Sequence, residues 1–410
     1  MYYPRTIQEQ IKKHLKWFPV VILTGPRQVG KSTEVFRLTQ EGYNYVSLDN
    51  IDDRQLALND PKFFMSLHPA PLIIDEIQYA PHLLEVIEQI VNEKRIRDED
   101  ANGLFVLTGS QSFSLMNGVT QSLAGRAGIL EMLPLSRSEL ERKEEKPFLP
   151  DLEHFQKEPE TGDLSPLDLF ERIMRGFYPE LYKNPELPAQ IYYENYLKTY
   201  LDRDVSSLIN VTSQLQFQNF MQYLASVVSS TLNCHELSRA LGIDYRTVKS
   251  WLSILQASGI IYLLQPYSEQ KLTKRIVKSP KLYFCDTGLA AYLAKIYSAE
   301  HLMNSAQAGP FMENYVINEI RKSYLNTGTP VDLSFYRDNN QNEIDLVIRQ
   351  NQSLYLIEIK KGITFNRSHV KGFAQLKSSA LTIASGCILC NTQKNYALAR
   401  DLYVLSCLVI

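Results

Sequence analysis

Two sets of residues have the types and spacing to do chemistry. The first lies in TGPRQVGKST, residues 24–33, which follows the apolar run VVIL directly. There Gly25 and Gly30 are separated by Pro26, Arg27, Gln28 and Val29, and Lys31, Ser32 and Thr33 come immediately after. Glycines at that spacing let a loop turn back on itself, so that its backbone N–H groups converge on phosphate at the start of a helix. Lys31 would then reach the terminal phosphates as a point charge, and Ser32 would ligate Mg2+. The second set is Glu313, Asp345, Glu358 and Lys360. Three carboxylates supply the hard oxygens that Mg2+ or Mn2+ takes, and a lysine beside them could steady an attacking water or a phosphodiester anion. Glu343, two residues before Asp345, offers a further carboxylate.

The elements that must hold the first set are legible. Val20 to Leu23 read as a short buried strand and STEVFRLTQ as a helix, the strand–loop–helix context of a Walker A motif. PLIIDEIQ reads as a second buried strand ending in Asp75 and Glu76, as a Walker B motif does. Asp75 would hold Mg2+ through water, and Glu76 would orient or deprotonate the attacking water. A third strand, GLFVLTGS, ends in Thr108 and Ser110 at the edge of a parallel sheet where ligands collect. These two could sense the terminal phosphate or serve as turn residues. Arg126, in SLAGRAGILEM, could face a phosphate of its own subunit or of a neighbour in an oligomer.

For the second set, GPFMENYVINEI reads as a helix carrying Glu313 and Glu319, followed by strand-like LSFYRD, NEIDLVIR and SLYLIEIKKG. Glu358 and Lys360, two apart on a strand, share a face. A helix glutamate, a strand aspartate and Glu-x-Lys on the next strand resemble the PD-(D/E)xK nuclease core. Two readings stay open: an active metal-dependent nuclease, or a degenerate fold whose charges pair as salt bridges.

Between the two sets, residues 141–165 are charged, proline-containing and aperiodic, and read as a linker or insertion. Tyr192, Tyr196 and Tyr200 recur at helical spacing and read as a packing stripe. LNCHELSRALGIDYRTVKSWLSILQASGIIYLL gives a helix, a turn at Gly242, a second helix and a strand, the plan of a winged helix-turn-helix over about 231–265. On its second helix Tyr245, Arg246 and Lys249 face outward while Val248, Leu252 and Leu255 face inward. The lysine-rich KLTKRIVKSPK downstream would add a phosphate-contacting surface or a solvated loop.

GPRQVGKST, LIIDEIQ, LTGSQSFSL and LAGRAGILEMLPLSRSEL together resemble the AAA+ superfamily ATPases of bacteria and archaea that continue into a C-terminal domain of unknown function. The resemblance runs on through RGFYPELY, YLDRDVSSL, KLYFCDTGL, GPFMENYVINEI and IEIKKG, almost the whole chain. It implies ATP and Mg2+ as ligands, ATP hydrolysis as the activity, and a nuclease-like last domain.

The expected fold class is α/β: a P-loop NTPase parallel-sheet domain (1–140), a helical and winged-helix middle (166–300), and a C-terminal mixed α/β restriction-endonuclease-like domain (301–410). The favoured function is an ATP-binding and ATP-hydrolysing enzyme coupled to DNA binding or cleavage. The alternative is an ATP-dependent signalling or scaffold switch whose catalytically inactive C-terminal domain binds a protein partner. With 410 residues, 44% of them hydrophobic and 21% charged, the chain falls among globular proteins. A formal net charge of -2 gives no global pull towards nucleic acid, so DNA must be met by a local basic surface. Five scattered cysteines do not read as a disulfide framework, and in GCILC alternation sends Cys387 and Cys390 to opposite faces. Neither a signal-type segment nor a membrane-length apolar run is present, so the expected location is the cytoplasm.

Overall fold

The computed structural model describes residues 2–109, 122–157, 165–201, 205, 211–268, 279–376 and 381–410. The first region is built on β1 (Val20–Thr24), β2 (Asn44–Ser47), β3 (Leu72–Asp75), β4 (Phe105–Thr108) and β5 (Ala127–Glu131). All pair in parallel, in the order β2-β3-β4-β1-β5. Around them lie α1 (Ile7–Trp17), α2 (Lys31–Phe36), α3 (Ile51–Asn59), α4 (Pro61–Leu67) and α5 (Leu83–Ile96). Strand alternation explains the layering. Val21, Leu23, Ile73 and Val106 pack with Ile7 and Ile11 of α1 and Val35 of α2. Val20, Ile22, Leu72, Ile74, Phe105 and Leu107 pack with Phe64 of α4 and Ile87 and Val91 of α5. A sheet buried on both faces needs helices on both, hence near-continuous apolar strands.

In the middle region the helix Ala189–Tyr200 buries Tyr192, Tyr196 and Tyr200, so the tyrosine stripe is core. The helices Cys234–Leu241 and Tyr245–Ala257 flank a turn at Gly242, which is left-handed (φ 63°). Antiparallel β6 (Ile261–Leu264) and β7 (Lys281–Phe284) follow. Val248, Leu252 and Leu255 are buried and Arg246 and Lys249 exposed, while Tyr245 is half-buried against His235. Of the basic run, Lys271, Lys274, Arg275 and Lys278 lie outside the described residues, as does Ser110.

The last region holds the long helix Ala308–Thr327 against β8 (Asp332–Arg337), β9 (Glu343–Gln350), β10 (Ser353–Ile359), β11 (Thr382–Cys390), β12 (Tyr396–Ala399) and β13 (Leu402–Ser406). The sheet runs β12-β13-β11-β10-β9-β8 and is mixed: β10, β11 and β13 are parallel, the outer pairings antiparallel. Cys387 packs with Cys407 on one face and Cys390 joins a separate cluster with Val404 on the other. All five cysteines are free thiols.

One apolar core is continuous through all three regions, from Val21 through Tyr178 and Leu255 to Tyr315 and Leu405. The stretch read as a linker takes part in it. Phe148 is fully buried. Its N–H donates to Ser323 Oγ at 3.1 Å and its carbonyl accepts from Tyr324 at 2.7 Å. Farther along, Ser385 donates to the Pro150 carbonyl at 2.6 Å. Composition marked this segment as solvated, but Phe148, its backbone held by the hydroxyls of Ser323 and Tyr324, helps dock it on the long helix.

Candidate functional site

The phosphate loop leaves β1 through Gly25 (φ 141°), passes Gln28 (φ 61°) and enters α2 after Gly30 (φ 99°). A Cβ at Gly25 would stand 2.1 Å from the Met132 carbonyl, so only glycine fits there. The Lys31 ammonium folds back onto the loop, donating to the carbonyls of Gly25 (2.9 Å) and Pro26 (2.7 Å).

Asp75 closes β3 at the same edge and accepts from three hydroxyls. Ser32 Oγ donates to Oδ1 at 3.0 Å, Thr108 also donates to Oδ1, and Tyr45 donates to Oδ2 at 2.9 Å. Burial and this carboxylate push the Tyr45 phenol up. Thr108 Oγ1 in turn accepts from the Glu76 N–H at 3.2 Å. That bond holds the left-handed turn (φ 60°) by which Glu76 leaves the strand. The Glu76 side chain accepts from Gln78 and lines a cavity of about 920 Å³ together with Arg27 to Thr33. Ser32 and Asp75, with oxygens a hydrogen bond apart, fit a Mg2+ held by the hydroxyl and, through water, by the carboxylate.

The middle region forms the opposite wall of this cavity. Tyr192 Oη donates to Gln28 Oε1 at 2.8 Å. Gly259, in the turn between the helix Tyr245–Ala257 and β6, has φ 67°, and a Cβ there would stand 2.7 Å from Pro26 Cγ.

Arg126 lies elsewhere. Its carbonyl accepts from the N–H of Val20, the first residue of β1, whereas the phosphate loop follows the last. With about five residues of ~3.3 Å rise between them, the two are roughly 16 Å apart along the sheet. The Arg126 guanidinium pairs with Asn92 (3.0 Å) and Glu88 (3.3 Å) of α5. The parallel register thus sets Arg126 at the opposite end of β1 from its own subunit's phosphate loop.

The structure brings the second set together and adds a residue that the sequence reading placed elsewhere. Lys281 of β7, 2% exposed, points among the carboxylates. Its Nζ lies 2.9 Å from Glu313 and 3.6 Å from Asp345, and it also contacts Glu343. Tyr283 Oη donates to Glu313 at 2.5 Å. The other Asp345 oxygen accepts from the Ile359 N–H at 2.8 Å, and Glu358 pairs with Lys360 at 2.6 Å. Burial, with Asp345 adding repulsion, pushes Glu313 up to about 7 and Glu358 up to about 8. Burial pulls Lys281 down, but Glu313, Asp345 and Glu343 outweigh it and the net shift is upward.

In this arrangement the set does not fit a divalent ion. Among the described residues no three His, Cys, Asp or Glu side chains come together so as to hold one. An ammonium sits between the carboxylates expected to be ligands. Glu319 is not part of the cluster: it pairs with Lys322 (2.8 Å) and accepts from the Arg137 N–H (2.7 Å). Sequence reasoning missed Lys281, though the signal was there in a lysine opening the apolar strand KLYF, the same kind of interruption that marked Asp345.

Residues 18–141 match the family model of an AAA domain. The first third of the chain is thus a P-loop ATPase domain of AAA type. Two further models, both described as domains of unknown function (DUF8612 and DUF4143), match residues 167–300 and 308–409. Uncharacterized proteins of Mycobacterium tuberculosis and Mycobacterium bovis are each 25% identical over 384 residues, 92% of this chain and 79% of theirs. Among solved structures, the Walker-type ATPase PABY2304 of Pyrococcus abyssi is similar at 14% identity and a TM-score of 0.42, over 71% of this chain and 96% of its own. AMPPCP-bound DnaA from Aquifex aeolicus is similar at 14% identity and a TM-score of 0.28, over 60% and 86%. At these scores neither likeness carries weight for function. No helix among the described residues is long and apolar enough to cross a membrane.

Proposed function

We propose that this chain is a Mg2+-dependent ATPase whose nucleotide state is passed to a DNA-binding winged helix in its middle region. The observation that carries the enzymatic part is the hydrogen-bonded run Ser32–Asp75–Thr108–Glu76, which joins the phosphate loop to the ends of β3 and β4. Lys31 exchanges the Gly25 and Pro26 carbonyls for the terminal phosphates of ATP. Backbone N–H groups of the loop hold the phosphates in line, and Ser32 and Asp75 would hold a Mg2+, which when bound would supply charge neutralisation at the phosphates. Glu76 orients the attacking water and takes its proton.

The coupling rests on Gly259 against Pro26 and Tyr192 on Gln28: a loop that rearranges around phosphate moves what is packed on it. Arg246 and Lys249, exposed on the helix Tyr245–Ala257, would meet the DNA backbone. Arg126 can serve only a neighbouring subunit's nucleotide, in an oligomer.

A second reading is favoured by Lys281: the last domain, with its long helix and mixed sheet, works as a protein-binding part of an ATP-dependent switch, without cutting DNA. The test is phosphate release from ATP by wild type, Lys31→Ala and Asp75→Asn, with DNA affinity measured with and without ATP. Turnover at least 100-fold lower in both variants, and ATP-dependent DNA affinity lost in Lys249→Glu, supports the first reading. ATP turnover without any DNA binding leaves the switch, and unchanged turnover in both variants removes the enzyme.

A further inference from the structure

The C-terminal cluster has a composition that a metal site and a salt-bridge cluster share, and its geometry separates them. We propose that Lys281 is the resident cation of this cluster: its ammonium takes the place among Glu313, Glu343 and Asp345 that a divalent ion would need, and excludes such an ion while it is there. The cluster then works as a charge latch that fastens the long helix and β9 to the β6–β7 hairpin.

Three features support this. The first is position. The Lys281 Nζ is 2.9 Å from Glu313 and 3.6 Å from Asp345 and touches Glu343, so one point of charge serves side chains from two elements. A hard divalent ion needs oxygens at about 2.0–2.6 Å around that same point, and it cannot share the point with an ammonium.

The second is burial. A side chain that is 2% exposed keeps its charge only where partners replace its water. Lys281 has those partners, and it also lies over the Phe335 ring at 5.6 Å. The carboxylates in turn depend on it: Glu313 and Asp345 pair with Lys281, while Glu358 pairs with Lys360.

The third is origin. Lys281 does not belong to the domain whose carboxylates it serves. It comes from β7, within residues 167–300, whereas Glu313, Glu343 and Asp345 lie within 308–409. Tyr283, two residues on and on the same face of β7, reaches Glu313 as well. Two side chains of the strand therefore meet on one carboxylate oxygen of the long helix. Nearby, the Tyr267 N–H donates to the Phe335 carbonyl at 2.6 Å, joining the hairpin to β8 through backbone. A cation supplied from another region ties metal access to how that region sits.

The test uses the full chain without nucleotide, so it is independent of the ATPase reading. Mn2+ binding is titrated by electron paramagnetic resonance in wild type, Lys281→Met and Lys281→Met/Asp345→Asn, and thermal unfolding of each is followed with and without Mn2+. The expected result is one Mn2+ site in Lys281→Met, at least tenfold tighter than any in wild type and absent from the double variant. Mn2+ should also raise the lowered unfolding temperature of Lys281→Met and leave wild type unmoved. If Lys281→Met fails to fold in metal-free buffer, it is refolded with Mn2+: recovery supports the proposal and failure overturns it. A wild-type Mn2+ site that Asp345→Asn alone removes overturns it too, as does a folded Lys281→Met with no gain.

Discussion

Replacing Thr108 by valine removes one hydroxyl and keeps the shape. In the structure that hydroxyl is 1% exposed, donates to Asp75 and accepts from the Glu76 N–H at 3.2 Å. A hydrogen bond to a charged group is worth about 1.5–3 kcal/mol net, and an orphaned buried N–H costs about 1–3 kcal/mol. Both losses fall on the two acidic residues of the site, so the expected destabilisation is about 2–4 kcal/mol after partial relaxation. The kinetic loss should be larger in consequence. Glu76 leaves β3 with φ 60°, a conformation that this N–H bond secures, and a carboxylate displaced by about 1 Å can cost about 100-fold in rate. ATP itself is gripped by the loop, to which Thr108 is linked through Asp75. Steady-state phosphate release should therefore show kcat down about 100-fold with KM within about threefold, and Thr108→Ser should recover most of it. Turnover of Thr108→Val within about threefold of wild type, with unchanged stability, would refute the claim that Thr108 holds the acidic pair.

Four further outcomes are expected. Phe148→Ala should cost about 3–5 kcal/mol in urea unfolding, because the ring is fully buried in the shared core. Burial, then Glu139, pushes Glu145 up to about 7. Its protonated form is thus favoured by folding, and its contribution is full below the ordinary carboxylate value and lost as pH rises through about 7. Glu145→Gln should match wild type near pH 5 and exceed it in unfolding temperature at pH 8. Gly259→Ala should weaken ATP binding several-fold in a filter assay, since its Cβ would meet Pro26 at 2.7 Å and φ is 67°. Arg126→Ala should leave the turnover of dilute protein within about twofold, because the guanidinium pairs with Asn92 and Glu88 away from the cavity.

The first region was legible because its signals are local. Glycine spacing, two apolar strands and the acids at a strand end all lie within short windows, and strand alternation sorts them into a sheet buried on both faces. Glu313, Asp345, Glu358 and Lys360 were legible for a similar reason: charge interrupting an apolar run is costly unless it has work or a partner. Which of the two applied was not legible. That depended on Lys281, 32 residues before Glu313 and on another strand, placed there by the β6–β7 pairing. Where Arg126 lies in the sheet was hidden for the same reason. Its neighbours in sequence point to a polar loop, but which edge of the sheet that loop occupies follows only from the register of β5 on β1. Phe148 was hidden by composition, one aromatic in a charged run whose docking partners, Ser323 and Tyr324, lie more than 170 residues away.

Glu76→Gln separates holding ATP from hydrolysing it when ATP binding and ATP turnover are measured on the same preparation. The expected result is an ATP Kd within about threefold of wild type and hydrolysis reduced at least 100-fold, since the loop, Lys31, Ser32 and Asp75 are intact and only the group facing water is changed. Hydrolysis at the wild-type rate, or loss of ATP binding in a folded protein, would contradict it.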